Sequence, residues 1–397
     1  MHLNFIKNTV LLFVLTLLSC RNQSSTQAQT PISVGAQQTA QYLPILKNKN
    51  IGIVANQTTV IFKEDGYRHL VDSLLSLNIA VKKVFAPEHG FRGTADAGEY
   101  VKDGVDAGSG VPIVSLYGAN KKPSAQALEG LDVIIFDVQD VGARFYTFLS
   151  TLHYMMETCA KLGITVLVLD RPNPNGHYVD GPILDLNYSS FVGVHPVPIV
   201  HGLTVGEYAK MINGEGWLTD GIQCDLKLIP VENYTHQTAY ELPIKPSPNL
   251  PNAKAINLYP SLCLFEGTNV SMGRGTALQF QIFGSPFLEH SDYTYEFIPK
   301  PNVGAKYPVH ENKICKGLNL QNLSSLDYIE LKWVIDAYQN TENKTDFFSP
   351  FFTKLAGQKL LQEQIESGWT AAQIRESWKP DLERYKLLRA PYLLYPL

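Results

Sequence analysis

Short apolar runs alternate with helix-patterned segments from residue 50 to residue 230, and that alternation leaves the chain few architectures. Residues 51–55, 81–86, 112–117, 133–138, 164–170 and 225–230 read as strands. Helical spacing occupies residues 69–77, 124–129, 147–162 and 204–212 between them. The run Val133-Ile134-Ile135-Phe136 is continuously apolar, as a strand covered on both faces should be. Gly163 stops the third helix, and Thr204 followed by Glu207 forms a capping box for the fourth. The pattern predicts an α/β domain built on a doubly wound, mostly parallel sheet.

A proline-rich stretch at residues 242–251 then breaks the alternation. Beyond it come a strand-like segment at 277–283 and helical patterns at 325–339 and 370–378. We expect a main domain over residues 37–245 and a second, smaller α+β domain over 246–397.

The first twenty residues read as a targeting segment. Lys7 supplies a basic start, and the apolar stretch 10–18 has the length of a signal core and is short for a membrane span. It ends at Leu17-Leu18-Ser19-Cys20, the pattern of a bacterial lipobox, which makes Cys20 the expected lipidation site. Residues 21–36 are expected to be a flexible tether, the Gln/Ser/Thr-rich part being 21–30. No acidic run follows Cys20, so the expected location is a bacterial membrane, facing the periplasm. The other cysteines, Cys159, Cys224, Cys263 and Cys315, form no CxxC pair and no zinc-ligand spacing, and no essential disulfide is expected.

With 33 Lys and Arg against 37 Asp and Glu, the chain lacks the basic footprint of a nucleic-acid binder. It also lacks a G-x-G-x-x-G fingerprint, a phosphate loop, H-E-x-x-H and G-x-S-x-G. What it has are polar clusters at strand ends. Pro87-Glu88-His89-Gly90-Phe91-Arg92-Gly93, Asp137-Val138-Gln139-Asp140-Val141-Gly142-Ala143-Arg144 and Asp170-Arg171-Pro172-Asn173-Pro174-Asn175-Gly176 each follow an apolar run. A fourth, Phe265-Glu266-Gly267-Thr268-Asn269, opens a loop of small polar residues. Ligands of open α/β sheets bind beyond the carboxyl ends of the strands, so carboxylates gathered there suit acid/base work on a polar substrate. Each cluster also has a structural reading. Glu88 could hold a loop salt bridge, Asp140 could cap the following helix, and the asparagines after Asp170 could simply hold a turn.

Together with Gly52-Ile53-Val54-Ala55-Asn56-Gln57-Thr58, Pro246-Ser247-Pro248-Asn249-Leu250-Pro251 and the stretch 259–276, these clusters resemble a bacterial family of exo-acting β-N-acetylmuramidases. The resemblance runs from about residue 38 to the end of the chain. It implies a Rossmann-like domain, a smaller C-terminal domain closing a cleft, and removal of terminal N-acetylmuramic acid from non-reducing ends of peptidoglycan fragments during cell-wall turnover. No cofactor or resident metal is implied.

Glycoside hydrolysis commonly uses two carboxylates. Glu88 is the expected general acid/base, Asp137 the leading second carboxylate, and Glu266 the next. The substrate's own acetamido group could take the second role. A cation should meet the lactyl carboxylate, with Arg274, Arg144 and Arg92 as candidates in that order. Asn56, His89, Gln139, Asp140, Tyr146, Asp170, Arg171, Asn173, Thr268 and Asn269 complete the expected substrate-binding set. Two rival readings are a non-catalytic lipoprotein that binds cell-wall sugars, and a metal-dependent esterase or amidase acting on the wall.

Overall fold

The computed structural model describes residues 30–92, 99 and 103–397. Cys20 and the expected signal segment lie outside the described residues, as do most of the expected tether and Gly93 of the first cluster.

Among the described residues twelve strands form in chain order: β1 (Asn50–Ala55), β2 (Val60–Lys63), β3 (Gly66–His69), β4 (Ala80–Ala86), β5 (Gly104–Val105), β6 (Pro112–Ser115), β7 (Val133–Asp137), β8 (Thr165–Leu169), β9 (Leu226–Ile229), β10 (Ile282–Ser285), β11 (Tyr295–Phe297) and β12 (Cys315–Asn319). Seven of them make one sheet in the order β5-β6-β4-β1-β7-β8-β9, parallel except for β5 at one edge. Setting β5 aside, this is the doubly wound order in which the chain reverses direction between its first strand and the fourth, here between β1 and β7.

The strands form where they do because both faces are covered. Ile51, Ile53, Val133 and Ile135 face one core with Tyr42, Leu70 and Leu74. Val54, Ile134 and Phe136 face the other, with Leu152, Met155 and Tyr208 from the crossover helices. Gly52 in β1 is required by this packing, since a Cβ there would lie 2.6 Å from Ile134 Cδ1 and 2.8 Å from Phe85. Two crossover helices carry the expected end signals, whereas the helix expected at 124–129 is only the 3₁₀ turn Gln126–Leu128 and the one expected to stop at 212 runs to Gly214. The helix Phe148–Leu162 stops at Gly163 in the left-handed conformation (φ 67), and Thr204 and Glu207 form the expected capping box of Val205–Gly214.

The C-terminal part carries the antiparallel sheet β10-β12-β11 and the helices Ala253–Leu262, Lys332–Gln339, Pro350–Ala356, Leu360–Glu366 and Ala371–Arg389. Residues Ser33–Leu397 pack as one compact unit. Three expectations need correction here. The strand expected at 277–283 is β10, at 282–285. The helix expected from 325 begins at Lys332, because the preceding backbone is held by side chains: Leu326 N donates to Asn257 Oδ1, Ile329 N to Asp180 Oδ2 and Glu330 N to Ser261 Oγ. The helix expected to end at 378 runs on through Pro380 to Arg389. Ile374, Trp378, Leu382, Tyr385 and Arg389 make one buried stripe along it, and that burial outweighs a proline cost of about 3 kcal/mol.

Candidate active site

A cavity of about 500 Å³ opens beyond the carboxyl ends of β4 and β6. Its walls come from the loop after β4 (Glu88, His89), the segment after β6 (Tyr117, Lys121), the start of the helix Phe148–Leu162 (Tyr146, Thr147) and the Ser190–Val192 turn. The proline-rich stretch adds Ser247 and Asn249, and the C-terminal part adds Tyr259, Glu266, Arg274, Phe280 and Lys354.

Glu88 follows β4 directly, and the chain turns sharply after it. His89 (φ 70) and Gly90 (φ 78) both take the left-handed conformation, and Gly90 N donates to Pro87 O at 3.0 Å. A histidine held at positive φ is a local strain of the kind that gathers at functional sites. Glu88 is 8% exposed, and the Thr147 hydroxyl donates to its Oε2 at 2.6 Å. Across the lining, Glu266 stands in the short 3₁₀ turn Cys263–Gly267 and pairs with Arg274 at 2.6 Å. Burial works against the Arg274 charge, but the adjacent Glu266 carboxylate more than offsets it and holds the guanidinium above its ordinary range. Tyr259 meets Phe145, Phe280 and Tyr146 edge to face at 5.0–5.9 Å, giving an aromatic floor. Burial pushes the Tyr146 phenol and the Cys263 thiol well up, so the tyrosine is a hydrogen-bonding group and Cys263 is a poor nucleophile. Asn249 Oδ1 and Ser190 Oγ are buried without a hydrogen-bond partner among the described residues.

Of the residues expected from sequence, the cavity thus gathers Glu88, His89, Tyr146, Glu266 and Arg274. The others stand elsewhere, each for a visible reason. Asp137, fully buried, receives Arg171 Nε at 2.6 Å and Nη2 at 3.0 Å, and Arg171 also donates to Val60 O. This pairing keeps the Asp137 carboxylate inside the sheet, and Asp137 is not among the residues that line the cavity, whereas Glu266 is. Asn56 accepts from Thr58 N and Oγ1, and Gln139 donates to Asp140 O and Pro172 O while its own N–H donates to Thr58 Oγ1. These contacts fill the crevice between β1 and β7 where a ligand would otherwise sit.

Asp140 accepts from Gly142 N at 2.7 Å, and burial pushes its carboxyl up to about 7. Gly142 (φ 79) has room for no Cβ, which would lie 2.1 Å from Asn173 Oδ1. Asn173 itself donates to Leu203 O and accepts from Asn175 N, holding the turn. Asp170 accepts from Thr204 Oγ1, Gly206 N and Tyr395 OH at 2.6–2.8 Å, so it binds the start of the helix Val205–Gly214 to the C-terminal tail. Thr268 and Asn269 bond within their loop and to Phe347 and His310. Arg144 is 2% exposed and donates to the carbonyls of Pro182, Val197, Leu355 and Ala356. Arg92 grips Asp106 in a two-pronged pair at 2.7 and 3.1 Å. Asp137, Asp140, Asp170 and His89 do not converge, and among the described residues no group of three or more His, Cys, Asp or Glu could hold a metal ion.

Sequence reasoning missed Lys121, Ser190, Asn249, Tyr259 and Lys354. Lys121 did carry a signal, since it follows the strand at 112–117 just as the other clusters follow theirs. Ser190 and Lys354 carried none, because each reaches the cavity through long-range packing.

Comparison with known proteins agrees with this architecture. The chain is 35% identical over 377 residues to the peptidoglycan β-N-acetylmuramidase NamZ of Bacillus subtilis strain 168, covering 89% of each. Two solved DUF1343 family proteins from Bacteroides fragilis NCTC 9343 superpose with TM-scores of 0.85 and 0.78, at 50% and 26% identity. Each match covers 92% of this chain and 99% of the solved one. Residues 51–254 match the N-terminal and residues 257–395 the C-terminal family model of the exo-β-N-acetylmuramidase NamZ, and the chain belongs to that family.

Proposed function

We propose that this protein is an exo-acting glycoside hydrolase that removes terminal β-1,4-linked N-acetylmuramic acid from non-reducing ends of peptidoglycan fragments, in cell-wall turnover. The observation that carries the reading is the pair Glu88 and Glu266 in one cavity with an aromatic floor. Glycosidic cleavage needs a carboxyl group to protonate the leaving oxygen and a second to support the oxocarbenium-like centre or steer an internal nucleophile. Glu88 takes the first role. Its small exposure restricts water, and the Thr147 hydroxyl helps to hold the carboxyl group in place. Glu266 takes the second, oriented by Arg274. Asn249 Oδ1, an acceptor, suits the acetamido N–H, and the Tyr259–Phe280 floor suits the apolar face of a sugar ring.

The chain is exported and held by lipid at Cys20 on a bacterial membrane, facing the periplasm; the Leu17-Leu18-Ser19-Cys20 sequence supports this. The deciding experiment incubates the chain from residue 37 onward with N-acetylmuramyl-β-1,4-N-acetylglucosamine and with the disaccharide of reversed order, reading products by mass spectrometry. Free N-acetylmuramic acid from the first substrate alone is the expected result. Saturable binding of both without cleavage would replace the enzyme with a sugar-binding lipoprotein.

A further inference from the structure

Three Lys and Arg side chains line the cavity, and one of them is already neutralised. Arg274 belongs to Glu266. Lys121 and Lys354 have no carboxylate partner among the described residues. Their settings differ. Lys354 is exposed in the last turn of the helix Pro350–Ala356, where the carbonyl end of the helix favours a cation with no ligand required. Lys121 is half-buried, with Nζ 4.7 Å from the centroid of the Phe191 ring. Phe191 is itself held, stacked parallel to Tyr154 at 6.3 Å and leaning on Tyr117 at 5.9 Å. An aromatic face steadies an ammonium group but does not neutralise it, so the charge stays available to an anion.

The neighbouring hydroxyl points the same way. Ser190 and Gly193 exchange backbone hydrogen bonds at 2.9 and 3.0 Å, which fixes the turn that presents Phe191. Behind that turn lies Arg144, close enough that a Cβ on Gly193 would stand 3.3 Å from its Cδ. Within this fixed frame Ser190 Oγ is buried and has no partner among the described residues. A cavity wall that offers an ammonium group over the Phe191 ring and an unsatisfied hydroxyl on the residue just before that ring matches a carboxylate, which accepts from both.

We propose that Lys121 and Ser190 Oγ, which line the same cavity beside Phe191 in the fold and in the chain, read the carboxylate of the substrate's 3-O-lactyl group and so determine specificity for muramic acid. This rests on the muramidase reading above. Arg144, an expected reader of that group, acts here as a positioning residue through the Ser190–Gly193 turn.

The test uses three chromogenic 4-nitrophenyl β-glycosides: of N-acetylmuramic acid, of its lactyl carboxamide, and of N-acetylglucosamine. The parent enzyme should prefer the acid to the carboxamide by roughly 10–100-fold in kcat/KM, the size of a charge-assisted contact. In Lys121→Met, which keeps a stem against Phe191, that preference should fall towards unity, chiefly through a raised KM for the acid. Lys121→Arg should restore most of it, and thermal melting of both variants should match the parent. Cleavage of none of the glycosides by the parent would remove the muramidase reading and this assignment with it. An acid preference that survives Lys121→Met in a folded, active enzyme would overturn the Lys121 assignment alone. A preference lost in Lys354→Met instead would do the same.

Discussion

Removing the Asp137 carboxylate should unfold this protein more than it disables it. Asp137 is fully buried, Arg171 is 3% exposed, and two hydrogen bonds of 2.6 and 3.0 Å join them. Asp137→Ala would leave a buried guanidinium whose remaining side-chain hydrogen bond among the described residues is to Val60 O. Breaking one side of a buried pair costs about 3–5 kcal/mol, a large fraction of the ~5–15 kcal/mol that holds a domain folded. Replacing both partners is far milder, because no uncompensated charge stays behind, so Asp137→Leu with Arg171→Met should recover most of the loss. Urea unfolding followed by tryptophan fluorescence measures this, with turnover on the disaccharide taken well below each midpoint. The expected pattern is a strongly lowered midpoint for Asp137→Ala, a near-parental midpoint for the double variant, and turnover per folded molecule that changes far less than stability. An Asp137→Asn protein with an unchanged midpoint and turnover reduced by several orders would place Asp137 in the chemistry and refute the reasoning.

Glu88→Gln should fold normally and lose roughly 10²–10⁴ in kcat, and Glu266→Gln should also lose activity, both read on the disaccharide; near-parental rates for either would remove that residue from the mechanism. Asp140 gives a pH signature. Its folded pKa of about 7 lies above the ordinary 3.8, so the native state holds a proton that the unfolded chain releases first. Its contribution is greatest below the unfolded value and declines as pH rises through the folded one, by at most about 4 kcal/mol. Asp140→Asn, which cannot ionise, should therefore gain on the parent between pH 4 and 8, and parallel stability profiles would contradict this. Cys20→Ala expressed with labelled palmitate should lose the label and leave the membrane fraction; a variant that stays membrane-bound would refute the anchor.

The sheet was legible because its signal is local. Strands buried on both faces are continuous apolar runs, and Gly163 and the Thr204–Glu207 box mark helix ends within a few residues of themselves. The helix Pro350–Ala356 was readable too, from Ser349 as cap and Pro350 at its first position, though it went unread. The functional assignment of strand-end carboxylates was not legible, because it depends on partners far away in sequence. Asp137 and Glu88 follow apolar runs alike. One is closed off by Arg171, 34 residues on, while the other opens into a cavity whose far wall begins at Ser247. The setting of Arg144 was illegible for the same reason, since its acceptors at 355 and 356 lie more than two hundred residues downstream.

These partners also explain why the cavity lies off the point where the strand order reverses. In a doubly wound sheet the crevice between β1 and β7 is the natural ligand site, because neighbouring crossovers depart to opposite faces there. Here the Asn56–Thr59 turn folds into it, Thr59 Oγ1 donates to Asp137 O, and Arg171 plugs the remaining space from β8. Gln57 then reaches the carbonyls of Lys245 and Pro246, at the start of the stretch that carries Ser247 and Asn249. The filled crevice thus serves as the anchor for the second wall of the cavity, and the open site moves two strands along, to β4 and β6. An ion pair at the usual ligand position would then be a mounting for the site beside it, and substitutions there should act on cavity shape through the 245–250 stretch and leave the proton chemistry at Glu88 intact.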